Sequence, residues 1–129
     1  MLVEGKSYPE EMRGSGCKAK AQSSRRLIDH ALATTRRWAG ANDSADWLGP
    51  LYQYANRLAH VYFLRETAGL DAWLANLCFL HDPHRTTTLA EWKAELAQLK
   101  LQLGFVHSPV PHTIDVFLPA LTRGEFDTT

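Results

Sequence analysis

Asp71-Ala-Trp-Leu-Ala-Asn-Leu-Cys-Phe-Leu-His81 is the stretch on which the fold turns. Trp73, Leu74, Leu77, Cys78, Phe79 and Leu80 make it apolar nearly all round. Read as a short helix, such a segment belongs inside a core or in an interface. His81-Asp82-Pro83 ends it, because a proline pushes the residue before it out of the helical region. With this segment helical no strand remains, and the chain reads as all-α, a small bundle of about five helices with a flexible basic N-terminal arm.

The flanking segments supply the other helices. Toward the N-terminus, Ala45 to Thr67 forms the longest helical pattern, with Trp47, Leu48, Leu51, Tyr54, Ala55, Leu58 and Tyr62 on one stripe. Gln53, Asn56, Arg57 and His60 gather on its other side, and Gly69 stops it. Before it, Ser24 to Ala39 places Leu27, Ile28, Ala31, Leu32, Thr35, Trp38 and Ala39 on one face, closed by Gly40. Toward the C-terminus, Thr88-Leu89-Ala90-Glu91 is a capping box, a hydroxyl and a carboxylate each satisfying a backbone donor of the first turn. Leu89, Trp92, Leu96, Leu99 and Leu103 follow at 3-4-3-4 spacing, a seam for another helix. Thr113 caps a last short helix holding Ile114, Phe117, Leu118 and Leu121, interrupted at Pro119 and closed by Gly124. Residues 1–22, poor in apolar side chains, read as an arm ordered only by a partner; residues 23–129 read as one helical domain.

The 129 residues are 45% hydrophobic and 22% charged, which excludes wholesale disorder and fibrous classes. Cys17 and Cys78 make no disulfide framework and fit a reducing, cytoplasmic setting. No apolar run is long enough for a membrane span, so no membrane partner is expected. Lys+Arg and Asp+Glu balance at 14 each, but unevenly along the chain. Between Arg13 and Gly40 seven bases (Arg13, Lys18, Lys20, Arg25, Arg26, Arg36, Arg37) face one acid, Asp29. Such asymmetry points to an anionic partner at one end of the molecule.

Signatures of catalysis are sparse. Gly-Ser-Gly at 14–16 has no strand-like context for a nucleotide fingerprint. Cys78, His81 and His84 have close spacing, but zinc needs a fourth ligand or a water, and His30, His60, His107 and His112 are scattered. No metal and no cofactor are expected. Arg25 to His30 and Ala55-Asn56-Arg57-Leu58-Ala59-His60 have the Arg-x4-His type of spacing and resemble the motif of helical HEPN-class ribonucleases. In the second stretch the first position is Ala55, which removes the permanent cation such a site offers to phosphate. A ribonuclease toxin of that class, or an inactive relative, is therefore the alternative reading, and a generic helical adaptor is a third.

Two stretches carry a different resemblance. Leu48-Gly-Pro-Leu-Tyr-Gln-Tyr-Ala-Asn-Arg-Leu-Ala-His-Val-Tyr-Phe-Leu64, and Glu95-Leu-Ala-Gln-Leu-Lys-Leu-Gln-Leu-Gly-Phe105 followed by Asp115-Val-Phe-Leu118, resemble the small helical, Csm-type subunit of type III CRISPR effector complexes. The resemblance implies a non-catalytic protein present in several copies, packed against sister subunits along a guide RNA–target RNA duplex. It implies contacts to sugar-phosphate rather than to bases, since any guide sequence must be accepted. Arg25, Arg26, Arg36, Arg37, Arg57 and Lys100 are the side chains expected to grip that backbone.

Overall fold

The computed structural model describes residues 1–120 and shows a mixed α/β architecture rather than an all-helical bundle. Three strands, β1 (Leu2–Lys6), β2 (Leu74–Leu80) and β3 (Thr113–Pro119), form a parallel sheet in the order β1-β2-β3. Helices α1 (Gln22–Ala39), α2 (Tyr52–Tyr62) and α3 (Leu89–Gln102) are the other main elements of the described residues, with a 3-10 turn at Pro9–Met12 and a π turn at Phe63–Thr67 after α2. No helix among the described residues is long and apolar enough to cross a membrane.

The decisive stretch is therefore the central strand. A strand buried between two parallel neighbours reads as a near-continuous apolar run, which periodicity alone does not separate from a buried helix. Its pleat sends Leu74, Asn76, Cys78 and Leu80 to one face and Ala75, Leu77 and Phe79 to the other. The expected last helix is also a strand. Thr113, Ile114, Val116 and Phe117 are β-branched or aromatic and favour extended backbone, and Thr113 donates its hydroxyl to the Val110 carbonyl at 2.9 Å instead of capping a helix. Leu121 and Gly124, assigned to that helix, lie outside the described residues. The N-terminal segment, expected as a flexible arm, supplies edge strand β1, with Leu2 opposite Leu74 and Lys6 opposite Cys78.

Where the sequence gives helix-specific chemistry, the helices form as read. The Thr88–Glu91 capping box is made from both sides, and Trp92, Leu96, Leu99 and Leu103 are buried behind it. Gly40 ends α1 in the left-handed conformation that a side chain resists. The α1 stripe is narrower than its pattern, since Leu27 is 73% exposed. Residues 45–51 stay outside α2: Trp47 is buried in the connection and donates its indole N–H to the Leu103 carbonyl at 2.9 Å.

All three helices pack on one face of the sheet. Leu32, Leu58, Val61, Leu96 and Leu99 share a single core with Leu74 and Cys78, joined by Leu2 and Phe117. A strand order that rises steadily, linked by crossovers of one hand, places every helix on the same side. Among the described residues no layer covers the opposite face.

Candidate functional site

On the helix-facing side, Glu4, Asn76 and Asp115 are paired in register across the sheet, forming a polar row through an otherwise apolar layer. A helix residue answers each. The Arg57 guanidinium binds the Glu4 carboxylate. The Asn76 amide donates to the Tyr54 hydroxyl at 3.3 Å and to Asp115 Oδ1 at 3.0 Å. Lys100 Nζ closes on Asp115 Oδ2 at 2.7 Å. Tyr54 and Asn76 are buried, and burial, then the Asp115 charge, pushes the Tyr54 phenol above its ordinary value. This end of the row is a satisfied network.

The row opens to solvent at β1. Successive strand residues point to opposite faces, so Glu4 and Lys6 share the helix side. After the strand, Ser7 donates its backbone N–H to Glu11 Oε1 at 3.0 Å, which turns that carboxylate back over the strand end. Glu4, Lys6, Glu11, Gln53, Arg57 and Asn76 line a recess of about 20 Å³, enough for one water molecule. Gln53 also walls a larger cavity of about 470 Å³ beside it, bounded by Gly14–Ala19 and the start of α2.

The Gly14–Ala19 loop is held against Leu48–Pro50 by backbone bonds from Gly14 N–H to the Pro50 carbonyl and from Cys17 N–H to the Leu48 carbonyl, both 2.9 Å. Gly16 has φ +89°, and a Cβ there would lie 2.9 Å from the Leu48 carbonyl oxygen, so only glycine suits this approach. Lys18 stands exposed on the loop, and Arg25 of α1 donates to the Cys17 and Ala19 carbonyls at 3.4 Å each. The recess thus sets Lys6 and Arg57 beside two carboxylates at the C-terminal end of an edge strand, with Gln53 between it and the cavity that Lys18 borders.

The arginines and lysine expected to bind a polyanion are not one strip. Arg25, Arg26 and Arg37 are exposed on α1. Arg36 is half-buried and donates to the Ala45 carbonyl at 3.1 Å. Arg57 lies in the cleft and is neutralised by Glu4, while Lys100 is spent on Asp115. Ala55 is fully buried, so an arginine there would face the core rather than RNA. Cys78 is buried while His81 and His84 are exposed, and no three His, Cys, Asp or Glu converge as a metal group among the described residues.

Sequence reading passed over Glu4, Lys6 and Glu11, and placed Gln53 on the polar side of its helix with Arg57 but assigned it no role. The available signal was the alternation Leu2-Val3-Glu4-Gly5-Lys6, which on a strand brings an acid and a base to one face. The class defined by this fold is a two-layer α/β domain with a mixed-charge cleft at a strand terminus. Comparison with known proteins adds nothing to it: no family model, curated protein or solved structure matches the chain.

Proposed function

We propose that the protein engages a nucleic-acid backbone at the β1 cleft and hydrolyses a phosphodiester there with a divalent cation. The observation that carries this reading is the placement of Glu4 and Lys6 on one face of β1, beside Glu11, Gln53 and Arg57. Two carboxylates are too few for a closed metal cage. They match the habit of Mg²⁺, which keeps several waters and takes one or two carboxylates plus substrate phosphate oxygens. Such an ion would polarise the phosphate and activate a bound water. Lys6 supplies a compact cation for charge developing on the phosphoryl oxygens. Arg57, which binds Glu4 here, would offer a planar fork to the phosphate if Glu4 turned to hold the cation. Lys18 and the exposed Arg25 and Arg26 extend the positive border along which a backbone would lie. Cys17 and Cys78, both free, suit a reducing cytoplasmic setting.

A second reading is the non-catalytic RNA-guided subunit. The exposed Arg25, Arg26 and Arg37 on one helix favour it, since they suit guide and target RNA backbones without a reaction. It loses the helical architecture that its resemblance implies, because Asp115-Val-Phe-Leu118 lies in β3.

One experiment separates the two. Radiolabelled single- and double-stranded DNA and RNA are incubated with protein in Mg²⁺ or EDTA, for wild type, Glu4→Gln and Lys6→Met. Cleavage in Mg²⁺ that falls at least about 100-fold in both variants, with retained binding, is the expected result. Binding without cleavage in any condition supports the second reading, and neither binding nor cleavage overturns both.

A further inference from the structure

Two cavities of about 470 Å³ open on the described residues. The one bounded by Gly40–Asn42 and Val106–Ser108 carries neither lysine nor arginine and shares no residue with the β1 recess. The one beside Gly14–Ala19 differs on both counts. Gln53 belongs to its wall and to the wall of the recess. Lys18 borders it, and no acid lies among its lining side chains. Arg25, bonded to the Cys17 and Ala19 carbonyls, brings a second cation to the same loop. Such a field admits an anion and repels a cation. The remaining wall is suited to a flat, partly apolar body: Tyr52 supplies a benzenoid ring, next to Ile28 and Pro50. The Gln53 amide both donates and accepts hydrogen bonds. Because the loop is tied to Leu48–Pro50 by two backbone bonds, the space is preformed and costs a ligand little ordering. Its volume lies within the range of about 300–1,000 Å³ that small-ligand pockets occupy, whereas the recess takes a single water.

We propose that this cavity holds one unstacked nucleotide of a single strand, next to the phosphate at the recess. The inference rests on the reading of the recess as a phosphodiester site and adds its substrate class, a single-stranded nucleic acid rather than an intact duplex. The base lies against Tyr52, Ile28 and Pro50, with the Gln53 amide at its edge. Lys18 meets the phosphate on the solvent side, and the phosphate on the other side falls at the recess beside Lys6. Stacking on an aromatic ring tolerates any base, since every base has a π-face. A base within a duplex cannot enter until it leaves the stack, a cost that a single strand does not bear.

The test uses the full 129-residue protein in EDTA, so that binding is read without cleavage. The probes are a labelled single-stranded DNA of about 12 nucleotides, the same sequence as a blunt duplex, and deoxyadenosine monophosphate. Fluorescence anisotropy is expected to show the single strand bound at least about tenfold more tightly than the duplex. Methyl NMR should shift Ala19 and Ile28 with the single strand. Ala19→Trp, which fills the cavity, should bring the affinity ratio close to one. Lys18→Ala, a milder change on the exposed loop, should lower single-strand affinity at least about threefold. A wild-type ratio near one, or a ratio that Ala19→Trp leaves intact, overturns the proposal. Methyl shifts from the monophosphate with none from the strand overturn it in favour of a free nucleotide. Failure of the recess is read separately, by adding Mg²⁺. Single-strand preference that Ala19→Trp abolishes, in a protein that cuts nothing, supports the cavity and sinks the recess. Cleavage of strand and duplex alike, with no preference in binding, does the reverse.

Discussion

At the scale of single residues, the inner face of β2 shows how burial sets chemistry. Cys78 is fully buried between the sheet and the helices. Desolvation, then the Asp115 charge, raises its thiol from 9.0 to about 12, with Lys100 opposing. The folded state therefore keeps the neutral thiol at a pH where an unfolded chain has released the proton. This contribution to stability is fully present below pH 9.0 and is lost as pH rises toward 12. Urea denaturation between pH 8 and 11 should show the loss, and Cys78→Val should flatten that part of the curve; an unchanged slope would contradict the assignment. In the same protein Cys17, half-exposed on the glycine loop, should react with a thiol reagent while Cys78 stays silent until unfolding. Acidic Asp82 behaves oppositely. The His84 backbone N–H, 2.8 Å from its Oδ1, is the main influence holding its carboxyl below the usual range.

At the scale of elements, the contact between α3 and the loop after α1 rests on one position. Gly104 follows α3 at φ +96°, and a Cβ there would sit 2.7 Å from the Asn42 backbone nitrogen. Both the left-handed backbone and the close approach exclude other residues. Gly104→Ala should cost about 2–4 kcal/mol, combining backbone strain with displacement of the Asn42 loop. By contrast Gly40, also left-handed but with open space around its Cβ position, should cost only about 1 kcal/mol on the same substitution. Chemical denaturation of the two variants side by side measures the difference. Elements also show what the chain discloses in one dimension. The Thr88–Glu91 box and the Trp92-to-Leu103 spacing specify α3 because every requirement lies within a few residues. The strand identity of Leu74–Leu80 is set from outside, by Leu2–Lys6 on one flank and Thr113–Pro119 on the other. Local pattern shows a run of apolar residues; only the pairing partners make it extended. The cleft was hidden for the same reason. Glu4 and Lys6 become neighbours of Gln53 and Arg57 only once β1 lies against β2, and treating residues 1–22 as an arm removes that possibility at the outset.

At the scale of the whole molecule, zero net charge conceals a polar arrangement. Arg25, Arg26 and Arg37 point outward from α1, while Arg57 and Lys100 are matched by Glu4 and Asp115. Affinity for nucleic acid should therefore be modest and carried by few contacts. Each phosphate neutralised contributes about −0.7 to −0.9 to the slope of log affinity against log salt, so the three exposed arginines of α1 would by themselves contribute about −2 to −3. Substituting Arg25, Arg26 and Arg37 together by Ala should reduce that slope by at least half and leave the circular dichroism spectrum unchanged, whereas Arg36, bonded to the Ala45 carbonyl, is left in place. Fluorescence anisotropy at several salt concentrations gives the answer, and an unaltered slope would place the binding surface elsewhere.

The row of polar side chains running through the sheet ends on a strand bonded along one side only. Central strand amides exchange with solvent when the whole structure opens, whereas those of an outer strand escape through local fraying at lower free energy. The cleft's carboxylate and lysine therefore sit on a part of the framework that loosens first. If the proposed reading holds, cleavage should therefore fall on warming before the domain melts, and the amides of Leu2–Lys6 should exchange ahead of those of Leu74–Leu80.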